Sequence, residues 1–236
     1  MEQFDRRKWL KTAGLAGAMS IFGGLSLEGK TPEKQHKSNF LAAAGNNVRL
    51  SSNENPYGPS QKVRDAIIRS FDDACRYPRI FYEEVIAKIA AKEGVSKDHI
   101  LMTSGSTEGL KVAGLTYGAG NGEILTADPT FQSLMSYAQQ FGAYINRVPL
   151  DADMMYDLDE MARRVNNNTR LVFLCNPNNP TGTLLPADQL RAFISEVSDR
   201  AVIFADEAYC DYIEEPDYPS MVEFVKEGAN VIVSRT

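Results

Sequence analysis

The sequence is poor in the residues that most metal-dependent or triad-based catalysts need. It has two histidines, His36 and His99, far apart in the chain, so a histidine metal site or a Ser-His-Asp triad has almost no material. The three cysteines, Cys75, Cys175 and Cys210, are odd in number and form no C-x-x-C, which indicates neither a disulfide framework nor a zinc site. No G-x-x-x-x-G-K-[ST] occurs, and no G-x-S-x-G frames Ser106, so neither a P-loop nor a nucleophile elbow is present. The string GAGNG at Gly118–Gly122 lacks the dinucleotide spacing and reads as a loop. There is no internal repeat, no low-complexity tract, and no apolar run of the ~20 residues that span a bilayer. Basic charge is also scarce. The net charge is -6, and beyond residue 44 the balance is 18 Lys and Arg against 27 Asp and Glu. An acidic body argues against nucleic acid as a partner.

What is present begins with an N-terminal stretch unlike the rest. Residues 1–44 carry DRRKWLK at Asp5–Lys11, then a mildly apolar Gly/Ala-rich stretch from Ala13 to Leu27, and Ala42-Ala43-Ala44 as a small-x-small cleavage site. This resembles a twin-arginine export signal, and the expectation is export to the periplasm; a basic tail in a cytoplasmic protein is the alternative. Twin-arginine export moves folded proteins, so a cofactor loaded in the cytoplasm would travel with the chain.

The whole chain, 236 residues at 43% hydrophobic content, suffices for one substantial core. Residues 45–95 read as a polar arm, RLSSNENPYGPS, followed by two helices. The first is capped by Ser60 and carries Val63, Ile67 and Phe71. After Arg76-Tyr77-Pro78 a second runs from about Tyr82 to a stop at Gly94. From residue 96 to 236, short apolar runs alternate with helical patterns. Strands are expected at Ile100–Thr103, Glu123–Ala127, Ala143–Leu150, Leu171–Cys175, Ala201–Ala205 and Asn230–Ser234. Helices are expected after Ser104–Gly109, after a cap at Asp128-Pro129-Thr130, after Asp157 or Asp159, and from Pro186 to about Val197. Such alternation predicts an α/β fold with a mainly parallel sheet and helices on both faces.

Two strand ends carry the chemistry. Ala201–Ala205 runs straight into DEAY, Asp206–Tyr209, and Leu171–Cys175 into NPNNPTG, Asn176–Gly182. Ligands of open α/β sheets bind at the carboxyl ends of the strands. An acid there either caps the following turn or keeps a pyridine nitrogen protonated, which makes the ring an electron sink. Tyr209 lies close enough in sequence to reach the same ligand. In the second string, Asn178 and Asn179 offer amides, and an X-Pro bond such as Asn179-Pro180 is a candidate for the cis form. Ser104-Gly105-Ser106-Thr107, between a strand and a helix, is a candidate phosphate cradle and equally a capped helix start, with Glu108 neutralising its first turn.

Taken in order, NENPYG, SGSTEG, DPTF, NPNNPTG, DEAY and SRT resemble the fold-type I pyridoxal-phosphate aminotransferases of class I/II, the histidinol-phosphate aminotransferase group above all. The resemblance covers about Val48 to Thr236. It implies the aspartate aminotransferase-like fold, with 96–236 as part of the pyridoxal 5'-phosphate-binding large domain and the C-terminal small domain missing. By the same resemblance Asp206 pairs with the pyridinium nitrogen, and Tyr209 and Asn179 bond the ring's phenolic oxygen. Phe131 stacks on the ring, while Ser106, Thr107 and Thr236 hold the phosphate. Tyr77 reaches the phosphate of a neighbouring subunit, which implies a homodimer, and Tyr57 faces the substrate.

The family continues SRT with F-S-K, whose lysine forms the Schiff base; here the sequence ends at Thr236, and Lys226 lies in a preceding helix pattern. The expectation is therefore an aminotransferase acting on an amino acid or histidinol phosphate with a 2-oxo acid, the chain alone being inactive. A lyase or decarboxylase of the same fold and a non-catalytic fragment remain alternatives.

Overall fold

A computed structural model describes residues 50–236; the stretch 1–44, where an export signal is expected, lies outside them. Among the described residues the chain divides between Arg69 and Ser70 into two units. In the first, helix α1 spans Gln61–Arg69. Ser60 starts it as expected, accepting from the N–H of Val63 at 3.4 Å. Phe71 is not on this helix but in a following 3-10 turn, Phe71–Asp73.

The second unit is built on five strands: β1 Glu123–Asp128, β2 Tyr144–Pro149, β3 Thr169–Cys175, β4 Val202–Asp206 and β5 Val231–Ser234. They form one sheet in the order β2-β1-β3-β4-β5, every pair parallel. Its helices are α2 Arg79–Glu93, α3 Ser106–Gly118, α4 Ser133–Gln139, α5 Leu158–Arg164, α6 Ala187–Val197 and α7 Val222–Lys226.

Period-two alternation along the strands sorts the core into two layers. Leu125, Val172, Leu174, Ile203 and Ala205 pack with α5, α6 and Phe224 of α7. Ile124, Leu171, Phe173, Cys175 and Phe204 pack with Leu110 and Ala113 of α3 and Leu134, Met135 and Ala138 of α4. Burying each Leu, Ile, Val, Met or Phe side chain among them contributes about 1.5–3 kcal/mol. Both faces of the sheet are covered at its centre, which is why β3 and β4 read as continuous apolar runs, while edge strand β2 carries Asn146 and Arg147. Strand order runs one way from β1 to β2 and the other way from β1 to β3. The chain therefore reverses at β1, and the carboxyl ends of β1 and β3 flank the switch point where open α/β sheets bind ligands.

Three local expectations are corrected. Ile100–Thr103 is not a strand but an extended connection into α3; a four-residue apolar run becomes a strand only where a ladder partner receives it. Thr130 does not cap α4, which starts at Ser133; its hydroxyl is engaged by distant Tyr156 and Asn178 instead. Helix α2 begins at Arg79, directly after Pro78, and ends as expected at Gly94, whose φ of 69° suits glycine.

Candidate functional site

Because all five strands are parallel, the segments leaving β1, β3, β4 and β5 open on one edge of the sheet. Asp206 is the last residue of β4 and only 3% exposed. Alternation places it on the face of Phe204, Phe173 and Cys175, where half-buried Phe131 also packs. Its Oδ1 accepts from the Ser234 hydroxyl at 2.8 Å and from the Ala208 N–H at 3.3 Å. Burial pushes the carboxyl above the ordinary carboxylate range, these two hydrogen bonds pull it back, and the charge of Glu207 pushes it up again. Its described donors are all neutral.

Glu207 turns to the opposite face. It is 6% exposed and accepts from Ser220, from the N–H of Met221 at 2.7 Å, and from Arg235 at 2.9 Å. A cavity of about 310 Å³ opens on this side, lined among others by Glu207, Tyr218, Ser220, Met221 and Arg235. Of the residues to which the resemblance gives a cofactor or substrate role it takes in only Asp206, so it is not where they converge.

The NPNNPTG loop is fastened from within by Asn178, which is 4% exposed. Its Oδ1 accepts from Thr130 at 2.8 Å and Tyr156 at 3.1 Å, and its Nδ2 donates to Thr181 at 2.8 Å and to the Pro129 carbonyl at 3.2 Å. This cross-link joins the segments after β1 and β3 at the switch point. Asn179 is left half-buried, its backbone N–H toward the Cys175 sulfur. The peptide bonds before Pro129, Pro177 and Pro180 are all cis, the last as the sequence suggested. Burial pushes the Cys175 thiol up to about 12, with Asp206 adding to the shift. Burial likewise pushes the Tyr156 phenol well above its ordinary value.

At the head of α3, Gly105 takes a φ of 79° and the Glu108 carboxylate accepts from the Ser104 N–H. Ser106 is half-buried and Thr107 exposed; the first N–H groups of a helix have no acceptor within it. Tyr209 is half-buried with its ring 6.3 Å from that of Tyr212, and Thr236 is exposed after β5. Tyr77 is 93% exposed. Tyr57 belongs to the first unit, in a turn where Asn55 accepts from its N–H at 3.0 Å. The structure thus joins Asp206, Phe131 and Asn179 to the carboxyl-edge face. Sequence reasoning missed Ser234, Tyr156 and the Glu207–Arg235 pair. Glu207 stood in DEAY and Ser234 and Arg235 in SRT, but the pairing of one string with the other depends on strand order.

A parallel sheet with a buried acid next to its switch point defines an α/β protein whose carboxyl edge is where open sheets of this kind bind ligands. Comparison makes this specific. The family described as "Aminotransferase class I and II" matches residues 46–236, and the chain belongs to it. Among its curated relatives are a histidinol-phosphate aminotransferase of Moorella thermoacetica, 38% identical over 190 residues, and an aromatic amino acid aminotransferase of Cutibacterium acnes, 37% identical over 192. These alignments take in 80% and 81% of this chain but 49% and 54% of the relatives; the chain spans about half the length of the curated relatives it matches. A crystal structure of the histidinol-phosphate aminotransferase of Sinorhizobium meliloti in complex with pyridoxal-5'-phosphate superposes with a TM-score of 0.72 at 25% identity, over 78% of this chain and 50% of that one.

The donor set fits such a group. A carboxyl buried among neutral donors, with a like charge next to it, gains from a cationic N–H, and a protonated pyridine ring supplies one.

Proposed function

We propose that this chain acts in pyridoxal 5'-phosphate-dependent transfer of an amino group between an amino acid and a 2-oxo acid, with histidinol phosphate as a candidate donor. The observation that carries it is Asp206, a buried carboxyl without a described cationic partner at the carboxyl edge of a class I and II aminotransferase fold. When bound, the cofactor supplies an electron-withdrawing ring that takes up the electron pair of a broken substrate C–H bond.

This chain's residues bind and orient. The Asp206 carboxylate holds a proton on the ring nitrogen and so keeps the ring electron-poor. Tyr209 and Asn179 donate to the ring oxygen, and Phe131 covers one ring face. Ser106, Thr107 and Thr236 hold the phosphate, aided by the dipole of α3. Tyr57 faces the substrate. Tyr77 reaches the phosphate held by a second copy, so the working form is a homodimer; the exposed apolar Ile80 and Phe81 of α2 support this. The pair Arg6-Arg7 and the apolar stretch after it support export by the twin-arginine route.

The test is a half-reaction assay on the cofactor-loaded protein. Histidinol phosphate is compared with aromatic amino acids as donors, with carbon dioxide release measured in parallel. Amino transfer to the cofactor is expected. Decarboxylation without transfer, or no reaction with any amino donor, overturns the proposal.

A further inference from the structure

Asp206-Glu207 and Ser234-Arg235 face each other across the last seam of the sheet. Asp206 is the register partner of Ser234, and the Glu207 N–H donates to the Ser234 carbonyl at 2.9 Å. Side chains alternate in the same sense on both strands. The result is a clasp on each face, Ser234 to Asp206 on one and Arg235 to Glu207 on the other.

The Asp206 clasp has a consequence for ligand binding. Both described hydrogen bonds to the carboxyl, from Ser234 and from the Ala208 N–H, fall on Oδ1. No buried side-chain oxygen among the described residues lacks a partner, so Oδ2, which receives neither bond, is not sealed into the core. Ser234 therefore holds one oxygen and leaves the other to meet a ligand.

We propose that Ser234 is a positioning residue: through its hydroxyl it fixes the rotamer of Asp206 and keeps that carboxyl ionised, so that Oδ2 accepts the ring N–H of the cofactor. The proposal rests on the cofactor assignment above. The other groups near Asp206 cannot do this. Cys175 of β3 and Tyr156, from the segment before α5, are themselves held neutral by burial. Glu207 repels a second negative charge, and the Arg235 guanidinium is committed to Glu207 and Glu93. That leaves one side-chain hydroxyl and one backbone N–H to stabilise the carboxylate before a ligand arrives, and the hydroxyl is the variable part.

The test follows binding of pyridoxamine 5'-phosphate, isotope-labelled at the ring nitrogen, to the full chain. This probe has no aldehyde to react with surface lysines. NMR of the ring nitrogen reports its protonation, and titration across mildly acidic to mildly basic pH gives the affinity. Ser234→Thr and Ser234→Val form the central pair, equal in shape and in strand preference but differing in the hydroxyl. Melting curves check folding, and Ser234→Ala is a third, smaller variant.

Loss of the hydroxyl is expected to raise the Asp206 pKa and move the acid limb of binding up by about one pH unit. On the limb, affinity then falls about tenfold, while Ser234→Thr follows the unsubstituted chain. Superimposed limbs for the threonine and valine variants overturn the role of Ser234. A different failure marks the underlying assignment: no binding by the unsubstituted chain, or Asp206→Asn binding as tightly with the ring nitrogen still protonated.

Discussion

Arg235 stands between two carboxylates, bonding Glu207 of the β4 turn at 2.9 Å and Glu93 at the end of α2 at 2.7 Å. It ties the segment leaving β5 to a helix far away in sequence. Glu207 is buried, and without Arg235 it keeps only Ser220 and the Met221 N–H as described partners. Arg235→Ala is therefore expected to destabilise the chain by about 2 kcal/mol, below the ~3–5 kcal/mol of a fully buried pair because Arg235 itself is partly exposed. Arg235→Lys recovers part of this, since a point charge cannot span both acids as the planar fork does. Urea denaturation curves measure both, and equal midpoints for arginine and alanine contradict the pairing.

A second prediction concerns Asn178. Replacing it by alanine strips the acceptor from Thr130 and Tyr156, both buried, and the donor from Thr181. Unmade buried hydrogen bonds cost about 1–3 kcal/mol, so Asn178→Ala is expected to lose about 3 kcal/mol and Tyr156→Phe about 1. In a double-mutant cycle the two losses should fail to add, because they share one network. Additive losses would show that the contacts are independent.

How far was this visible in the sequence? The sheet was largely legible, because both faces are covered at its centre and β3 and β4 are nearly unbroken apolar runs. The place of Asp206 and of the NPNNPTG loop at the strand ends was legible because the runs end abruptly in polar residues. Ile100–Thr103 was misassigned for the same reason that the others succeeded: composition records apolarity but not whether a neighbouring strand is there to pair. Thr130 looked like a cap because capping is local, whereas Asn178 is 48 residues away. Ser234 needed the register of β4 against β5, which no local pattern encodes.

The cysteines give a chemical readout of the fold. Cys75 is exposed, Cys210 half-buried, and Cys175 buried with its thiol held up at about 12. Thiolate is the reactive form. In the native chain Cys75 is expected to label fast with an alkylating reagent, Cys210 slowly, and Cys175 only at the rate of unfolding. Mass spectrometry of partly labelled peptides orders the three. Labelling of Cys175 as fast as Cys75 contradicts the packing of the β3 end. The same burial sets a pH dependence: the folded thiol titrates above the unfolded one, so its contribution to stability is lost as pH rises from about 9 toward 12.

Asp206 carries the same sign at the acid end. Its folded pKa is raised by burial, so the folded state holds its proton more tightly than the unfolded chain does. Stability from this group is fully present below the unfolded carboxylate value and is lost as pH rises through the folded one. At neutral pH the ligand-free chain therefore holds an ionised buried carboxyl at a cost. Asp206→Asn is expected to melt higher than the unsubstituted chain near neutral pH and to match it in acid, where both side chains are neutral. Added pyridoxamine 5'-phosphate should reverse the order at neutral pH, because only the carboxylate gains from the cationic ring. Thermal melts at two pH values, with and without the probe, separate these effects. An asparagine variant that is less stable at neutral pH without ligand shows instead that Ser234 and the Ala208 N–H already compensate the charge, and that the carboxyl is structural.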